Sequence, residues 1–289
     1  MSLKAWLVLL AAALPAALAA ADPAAWRMTG KNGGEVTLLG SMHVLRPSDY
    51  PLPPNIDALI ARADRIVMEV DLDDFDPVAQ QRLVLETAML PQGTLLKDVL
   101  DDGVYAKAEQ RMGALGVDLG ALERFEPWFL AITALDLGMR KLGYQSERGV
   151  EQYIVGRARA TGKEIVGLET IEFQMGLFDA LPPEQQQALL EQTLDELDEG
   201  ASVLDHMVVA WRAGELESLS SELFEEFANY PGLYEKLVTK RNKSWVPLLE
   251  GMLGDGGHHL VVVGALHLVG PGNVIELLKK GGHEVERLK

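Results

Sequence analysis

The sequence predicts an α/β fold: a central, mostly parallel sheet built from both chain ends, with large helical insertions forming a cap. Three observations predict it. Near-continuous Val/Ile/Leu runs at 35–42, 65–70, 164–168 and 259–266 suit strands buried on both faces. These runs sit near the two ends and the middle of the chain, and helical patterns fill the intervals. No stretch rich in Gly, Pro or Ser divides residues 22–289, which therefore read as one compact unit.

The elements follow in order. Residues 1–21 (MSLKAWLVLLAAALPAALAAA) read as a bacterial-type signal peptide: one Lys, an apolar stretch broken by Pro15, then overlapping small-x-small sites. The alternative is an N-terminal membrane anchor, but the run is short, Ala-rich and Pro-broken. The expected location is therefore periplasmic or secreted, with no stable membrane insertion after cleavage. The run EVTLLGSM at 35–42 is the first strand and closes on His43. RIVMEV at 65–70 carries Glu69. Helical patterns follow at 77–89, 104–115, 127–142 and 150–160. EIVGL at 164–168 closes on Glu169, and helices are expected at 183–197, 215–227 and 233–253. HLVVVGAL at 259–266 closes on His267, followed by a helix at 271–280 and a short strand at 284–288.

Composition excludes several functions. The formal net charge is −17, which disfavours nucleic acid as a partner. The chain has no Cys, so disulfides, Cys-type zinc sites and thiol catalysis are all excluded.

An internal repeat points at a site. LLGSMHVLRPSD (38–49) aligns with VVGALHLVGPGN (262–273), matching Gly40 to Gly264, His43 to His267 and Pro47 to Pro271. A strand ending in G-x-x-H thus occurs twice. In an open parallel sheet, ligands gather at the carboxyl ends of the strands, so both His are expected to project into one crevice. Glu69 and Glu169 end strands of the same kind. Two imidazoles with a carboxylate suit a divalent metal such as Mn, Co or Zn, and His43, Glu69 and His267 are the candidate ligands. Each taken alone also reads as a satisfied polar group at a strand end.

Two helix positions carry polar groups where the pattern wants apolar ones. Arg241 falls on the stripe of Leu237, Trp245, Leu248 and Met252. A buried Arg needs an anionic partner, the alternative being an Arg that snorkels to water. Glu151 shares a face with Ile154 and Ala158, or else caps its helix. The acidic run at 71–76 reads as a solvated turn and N-cap ahead of Pro77.

Four segments together resemble the TraB/GumN family, whose animal relatives are the Tiki metalloproteases. They are LLGSMH at 38–43, VMEVD at 67–71, KRNKSW at 240–245 and VVVGALHLVGPGNVIELLKKGGHEV at 261–285; GLETIEFQ at 167–174 has the same look. The resemblance covers about residues 26–289. It implies that His43, Glu69 and His267 are metal and active-site residues, and that Arg241 and Asn242 are the family's polar pair on the late helix. The expected function is an exported metal-dependent hydrolase acting on a peptide or small-molecule substrate. In it Glu169 or Glu151 accepts a proton and Arg241 with Asn242 stabilises an oxyanion. The alternatives are a protein that binds a metal or metallo-ligand without turnover, and an accessory to envelope polysaccharide or pheromone processing.

Overall fold

The computed structural model describes residues 22–73, 76–197, 200–217 and 231–288. The expected signal peptide, and the expected helix over 215–227 beyond residue 217, lie outside the described residues.

Six strands form one sheet in the order β4-β3-β5-β2-β1-β6. They are β1 (Ala25–Thr29), β2 (Glu35–Ser41), β3 (Arg65–Val70), β4 (Glu164–Glu169), β5 (His258–Gly264) and β6 (Glu286–Arg287). β4, β3, β5 and β2 are mutually parallel, whereas β1 runs antiparallel to β2 and to β6. The sheet is therefore mostly parallel and draws on both chain ends, as the apolar runs predict. Every residue of β2 is buried, as is all of β5 after His258. Burial on both faces explains why these strands read as unbroken apolar runs.

Two elements escape the periodicity. β1 is a five-residue strand, AWRMT, joined to β2 by a tight turn in which Gly33 has φ 81°. Its only local signal is the Asn32-Gly33 pair, a hairpin-turn dipeptide. α1 (Pro54–Arg62) bridges β2 and β3 behind Pro53-Pro54, a helix-start signal.

The insertion between β3 and β4 holds α2 (Pro77–Thr87), α3 (Leu96–Val99), α4 (Asp102–Ala114), α5 (Pro127–Lys141) and α6 (Val150–Thr161). Asp76 caps α2 by accepting from the Val78 N–H, as the acidic turn predicts. The second insertion holds α7 (Ile171–Asp179), α8 (Pro183–Glu196) and α9 (Gly200–Arg212). A helical run from Pro231 then passes through a π-turn (Glu235–Thr239) into α10 (Lys240–Met252); α11 (Val274–Lys280) follows β5. In α10 the buried residues are Arg241, Asn242, Trp245 and Leu249, while Leu248 is 45% exposed. Leu248 thus leaves the expected stripe and Leu249 takes its place. The π-turn offsets Leu237 from the stripe that follows it.

Two apolar clusters hold the chain. The larger packs the sheet, with Leu38, Ile66, Val261 and Val262, against Ile154 of α6 and Trp245 of α10. The smaller unites Leu96, Met112, Leu130 and Leu194 from α3, α4, α5 and α8, and is the core of the helical cap. Each buried Leu or Ile contributes about 1.5–3 kcal/mol. Among the described residues no helix is long and apolar enough to cross a membrane.

One core residue is out of keeping. His259, near the start of β5, is 5% exposed, and neither ring nitrogen has a hydrogen-bond partner among the described residues. Burial holds its pKa below the ordinary histidine value. The unfolded chain therefore takes up a proton first, and stability falls as the pH drops below about 6.5. His259→Leu is expected to raise the melting temperature at pH 7, because a buried polar group without a hydrogen bond costs about 1–3 kcal/mol and the nearest carboxylate, Asp255, is 3.9 Å from Nε2. It should also shrink the loss on going to pH 5. Calorimetric melts at both pH values check this; a lower Tm at pH 7 would contradict it.

Candidate functional site

The four parallel strands deliver their carboxyl ends to one edge. β3 ends on Glu69-Val70 and β4 on Glu169. The two G-x-x-H copies lie on adjacent strands, staggered by one residue, so Ser41 of β2 pairs with Gly264 of β5. His43 follows β2 in a loop, and His267 sits in the 3-10 turn Ala265–Leu268 that follows β5.

Arg241 is the centre of a buried cluster. Its Nε donates to both oxygens of Glu169 (3.1 and 2.9 Å), and Nη2 donates to Glu69 Oε2 (2.5 Å) and Glu169 Oε2 (2.7 Å). Nη1 donates to the Leu237 carbonyl (3.0 Å) and to His267 Nε2 (3.2 Å). These contacts occupy all five guanidinium N–H groups. Trp245 Nε1 adds a bond to Glu169 Oε1 (2.9 Å), and Gln174 Nε2 reaches Glu169 Oε2 (3.2 Å) and Glu69 Oε2 (3.4 Å).

His267 is fixed from both sides. Its Nδ1–H donates to Asn242 Oδ1 (2.6 Å), while Asn242 Nδ2 donates to the Gly272 carbonyl (2.9 Å). That leaves Nε2 as the acceptor facing Arg241, 3.9 Å from Glu69 Oε1. Burial, reinforced by the charge of Arg241, lowers the His267 pKa to about 4, so the ring is neutral at pH 7.

His43 mirrors this arrangement nearer the surface. Its Nδ1–H donates to Glu151 Oε1 (2.6 Å), which also accepts the Ser41 hydroxyl. Glu151 is buried in the first turn of α6, which packs against the His43 backbone. A Cβ on Gly149 would lie 2.3 Å from the His43 carbonyl oxygen, so only Gly permits the approach. The Glu151 charge raises the His43 pKa to about 9. Burial alone would raise the Glu151 pKa, but the His43 charge and the hydrogen bonds it accepts hold it low. Glu69 behaves alike: burial opposes ionisation, yet His267, His43, Arg241 and the Gly264 N–H (2.7 Å) bring its pKa to about 2.

Gly264 completes the geometry. A Cβ there would lie 2.8 Å from His43 Nε2 and 3.3 Å from Glu69 Oε1. The bare Cα thus leaves a small cradle between the two groups. A cavity of about 250 Å³ opens at this point, lined by His43, Glu69, Glu151 and Gln174 among others. Glu169, Arg241, Asn242 and His267 stand beside Glu69 but are not among the residues lining the cavity.

The predicted residues His43, Glu69, Glu151, Glu169, Arg241, Asn242 and His267 thus gather at one strand edge. Arg241 has the anionic partners its apolar stripe demands and does not snorkel. Its donors all go to protein acceptors, and the Asn242 amide donates to the Gly272 carbonyl. Among the described residues, no three His, Cys, Asp or Glu side chains stand close enough to hold a metal ion. Sequence reasoning missed Ser41, Gln174 and Trp245. Gln174 carries a signal, being the last residue of GLETIEFQ, five after Glu169. Trp245 reads only as core.

Comparison with known proteins identifies relatives and a family. The chain is 26% identical over 242 residues to the uncharacterized protein YbaP of Escherichia coli K12, covering 84% of this chain and 87% of that one. An uncharacterized protein of Treponema pallidum is 23% identical over 285 residues, covering 93% and 83%. A metalloprotease TIKI homolog of the sponge Amphimedon queenslandica is 22% identical over 305 residues, covering 88% of this chain but 59% of the sponge protein. No solved structure gives a significant match. The model of the TraB/PrgY/gumN family matches residues 24–287, nearly the whole described chain, and the protein belongs to that family.

Proposed function

We propose that this protein is an exported, metal-dependent hydrolase of peptidase type, working in the cavity over Gly264. One observation carries the reading. His43 and His267 each have Nδ1–H anchored by a side-chain acceptor, Glu151 and Asn242; His267 Nε2 lies 3.9 Å from Glu69 Oε1, and His43 Nε2 and Glu69 Oε1 both border the cradle over Gly264. Metal-ligating histidines are held in this way. The donor chemistry, two imidazoles and a carboxylate, is that of Mn, Co or Zn sites; to hold the ion, His43, Glu69 and His267 would have to draw closer than they stand here and Arg241 would have to release Glu69 and His267. When bound, the ion would supply a water acidified to near neutrality.

The chain's own residues divide the remaining work. Glu151 orients His43, and because it lines the cavity we assign it the proton-accepting role. Glu169 is enclosed by Arg241, Trp245 and Gln174 and serves as the counter-charge of Arg241. Arg241 holds Glu69 and His267 in place, in competition with any ion for both. Asn242 fixes the His267 tautomer. The family relationship and the TIKI homolog support a hydrolase; export rests on residues 1–21.

Protein purified without a His tag or chelator is the material for the test. Calorimetric titration with Mn²⁺, Co²⁺ and Zn²⁺ should show binding that His43→Ala and His267→Ala abolish while circular dichroism stays unchanged. Asn242→Ala should weaken binding about 10–100-fold. Metal-stimulated cleavage of a peptide library should vanish in Glu69→Gln. Wild-type metal affinity in both His variants would overturn the metal site; binding without turnover would leave a metal-binding protein.

A further inference from the structure

α7 is anomalous. It starts two residues after Glu169, its sequence IEFQMGLFD is largely apolar, and none of its residues is buried. Ile171, Met175 and Phe178 fall at i, i+4 and i+7 and share one helix face with Gln174. That face borders a second cavity of about 270 Å³, closed on the other side by Trp128 and Ile132 of α5. Trp128 is 2% exposed and stacks on Phe178 with ring centroids 5.8 Å apart, while Ile132 stays 38% exposed. Among the described residues, no charged side chain lines this cavity. Gln174 lines both cavities, and its amide reaches Glu69 and Glu169. The apolar cavity therefore meets the Glu69 cavity at a single side chain.

We infer that this second cavity is a specificity subsite, which takes a large apolar side chain of a peptide, aromatic or branched aliphatic, next to the bond cleaved at Glu69. The inference rests on the peptidase reading and deepens it. Continuity through Gln174 ties the cavity to the reacting centre. Phe178, partly exposed and backed by the buried Trp128, offers ring surface to an entering aromatic group. An uncharged lining leaves an ionised side chain without a partner and so rejects it. A second copy of this chain is a poorer occupant, because a net charge of −17 opposes self-association.

The test uses fluorogenic peptides of Gly and Ser that differ at one position, occupied by Phe, Leu, Ala or Asp. Wild-type kcat/KM for Phe and Leu should exceed that for Ala by at least 10-fold, the scale on which apolar pockets discriminate. Asp should be poorest. Met175→Lys and Ile132→Lys, at partly exposed positions, should reduce the Phe-to-Ala ratio to within about threefold. The same peptides are titrated calorimetrically against Glu69→Gln, a readout that needs no turnover. Cleavage without preference for Phe or Leu overturns the subsite and leaves the peptidase reading intact. Phe-selective binding that Met175→Lys removes, with no cleavage of any peptide, keeps the subsite and sinks the peptidase reading. Neither binding nor cleavage removes both. A dimer in sedimentation that Ile132→Lys dissolves would assign the face to self-association instead.

Discussion

Arg241→Leu is expected to cost about 3–5 kcal/mol of stability, the usual penalty for breaking a buried ion pair from one side. The guanidinium bridges Glu69, Glu169 and His267 within 3.2 Å, and the Arg241 side chain is 9% exposed. Without it, the buried Glu169 carboxylate loses its cation and faces the charge of Glu69. Arg241→Lys should recover only part of the loss, because a single ammonium cannot reach three partners that a planar fork spans. In a background carrying Glu69→Gln and Glu169→Gln the cost of Arg241→Leu should shrink, and the difference measures the coupling. Urea unfolding of the five proteins decides it. An unchanged midpoint for Arg241→Leu would remove the residue from the scaffold altogether.

The second large effect concerns proton uptake. Glu151→Gln should return the His43 pKa from about 9 toward the ordinary 6.5, because the Glu151 charge is the largest cause of the rise. Two-dimensional NMR of the imidazole, followed from pH 5 to 10, reads this directly. The sign of the linked stability also follows. A His whose folded pKa is raised contributes stability fully below pH 6.5 and loses it as the pH climbs through about 9. Glu151, whose pKa is lowered, contributes above its unfolded value and loses that on acidification. The wild-type advantage over Glu151→Gln should therefore be greatest between about pH 4.5 and 6.5 and fade on either side. An His43 titration unmoved by the substitution would break the assigned pair. The His43 side chain is 64% exposed, so water screens the pair.

Much of this site was legible because the residues that build it break a pattern. Glu69 and Glu169 end apolar strands, and Glu151 and Arg241 interrupt apolar helix faces. A polar residue in such a position needs a partner, and the search for partners converges on one edge. The repeat supplied both His. What stayed hidden depends on tertiary contact. The sequence demanded an anion for Arg241 without telling Glu from a reacting oxygen; the saturated guanidinium answers with Glu69 and Glu169. Trp245 looked like plain core because its indole partner, Glu169, comes from a distant strand. β1 was invisible to an apolar-run criterion, since its five residues gain order by pairing with β2 and β6.

The placement of β5 governs how the chain assembles. It lies between β3 and β2, bonded to both, yet is made near the end of the chain. The cap helices can form early from local contacts. The sheet cannot, because its middle rung is missing until residues 258–264 arrive. Such long-range pairing gives a high contact order and slow folding. Until then β2 and β3 present open edges, which invite wrong partners and need protection. A chain cut before β5 would lose the centre of its sheet, and the two halves that wait on that strand would have nothing to join.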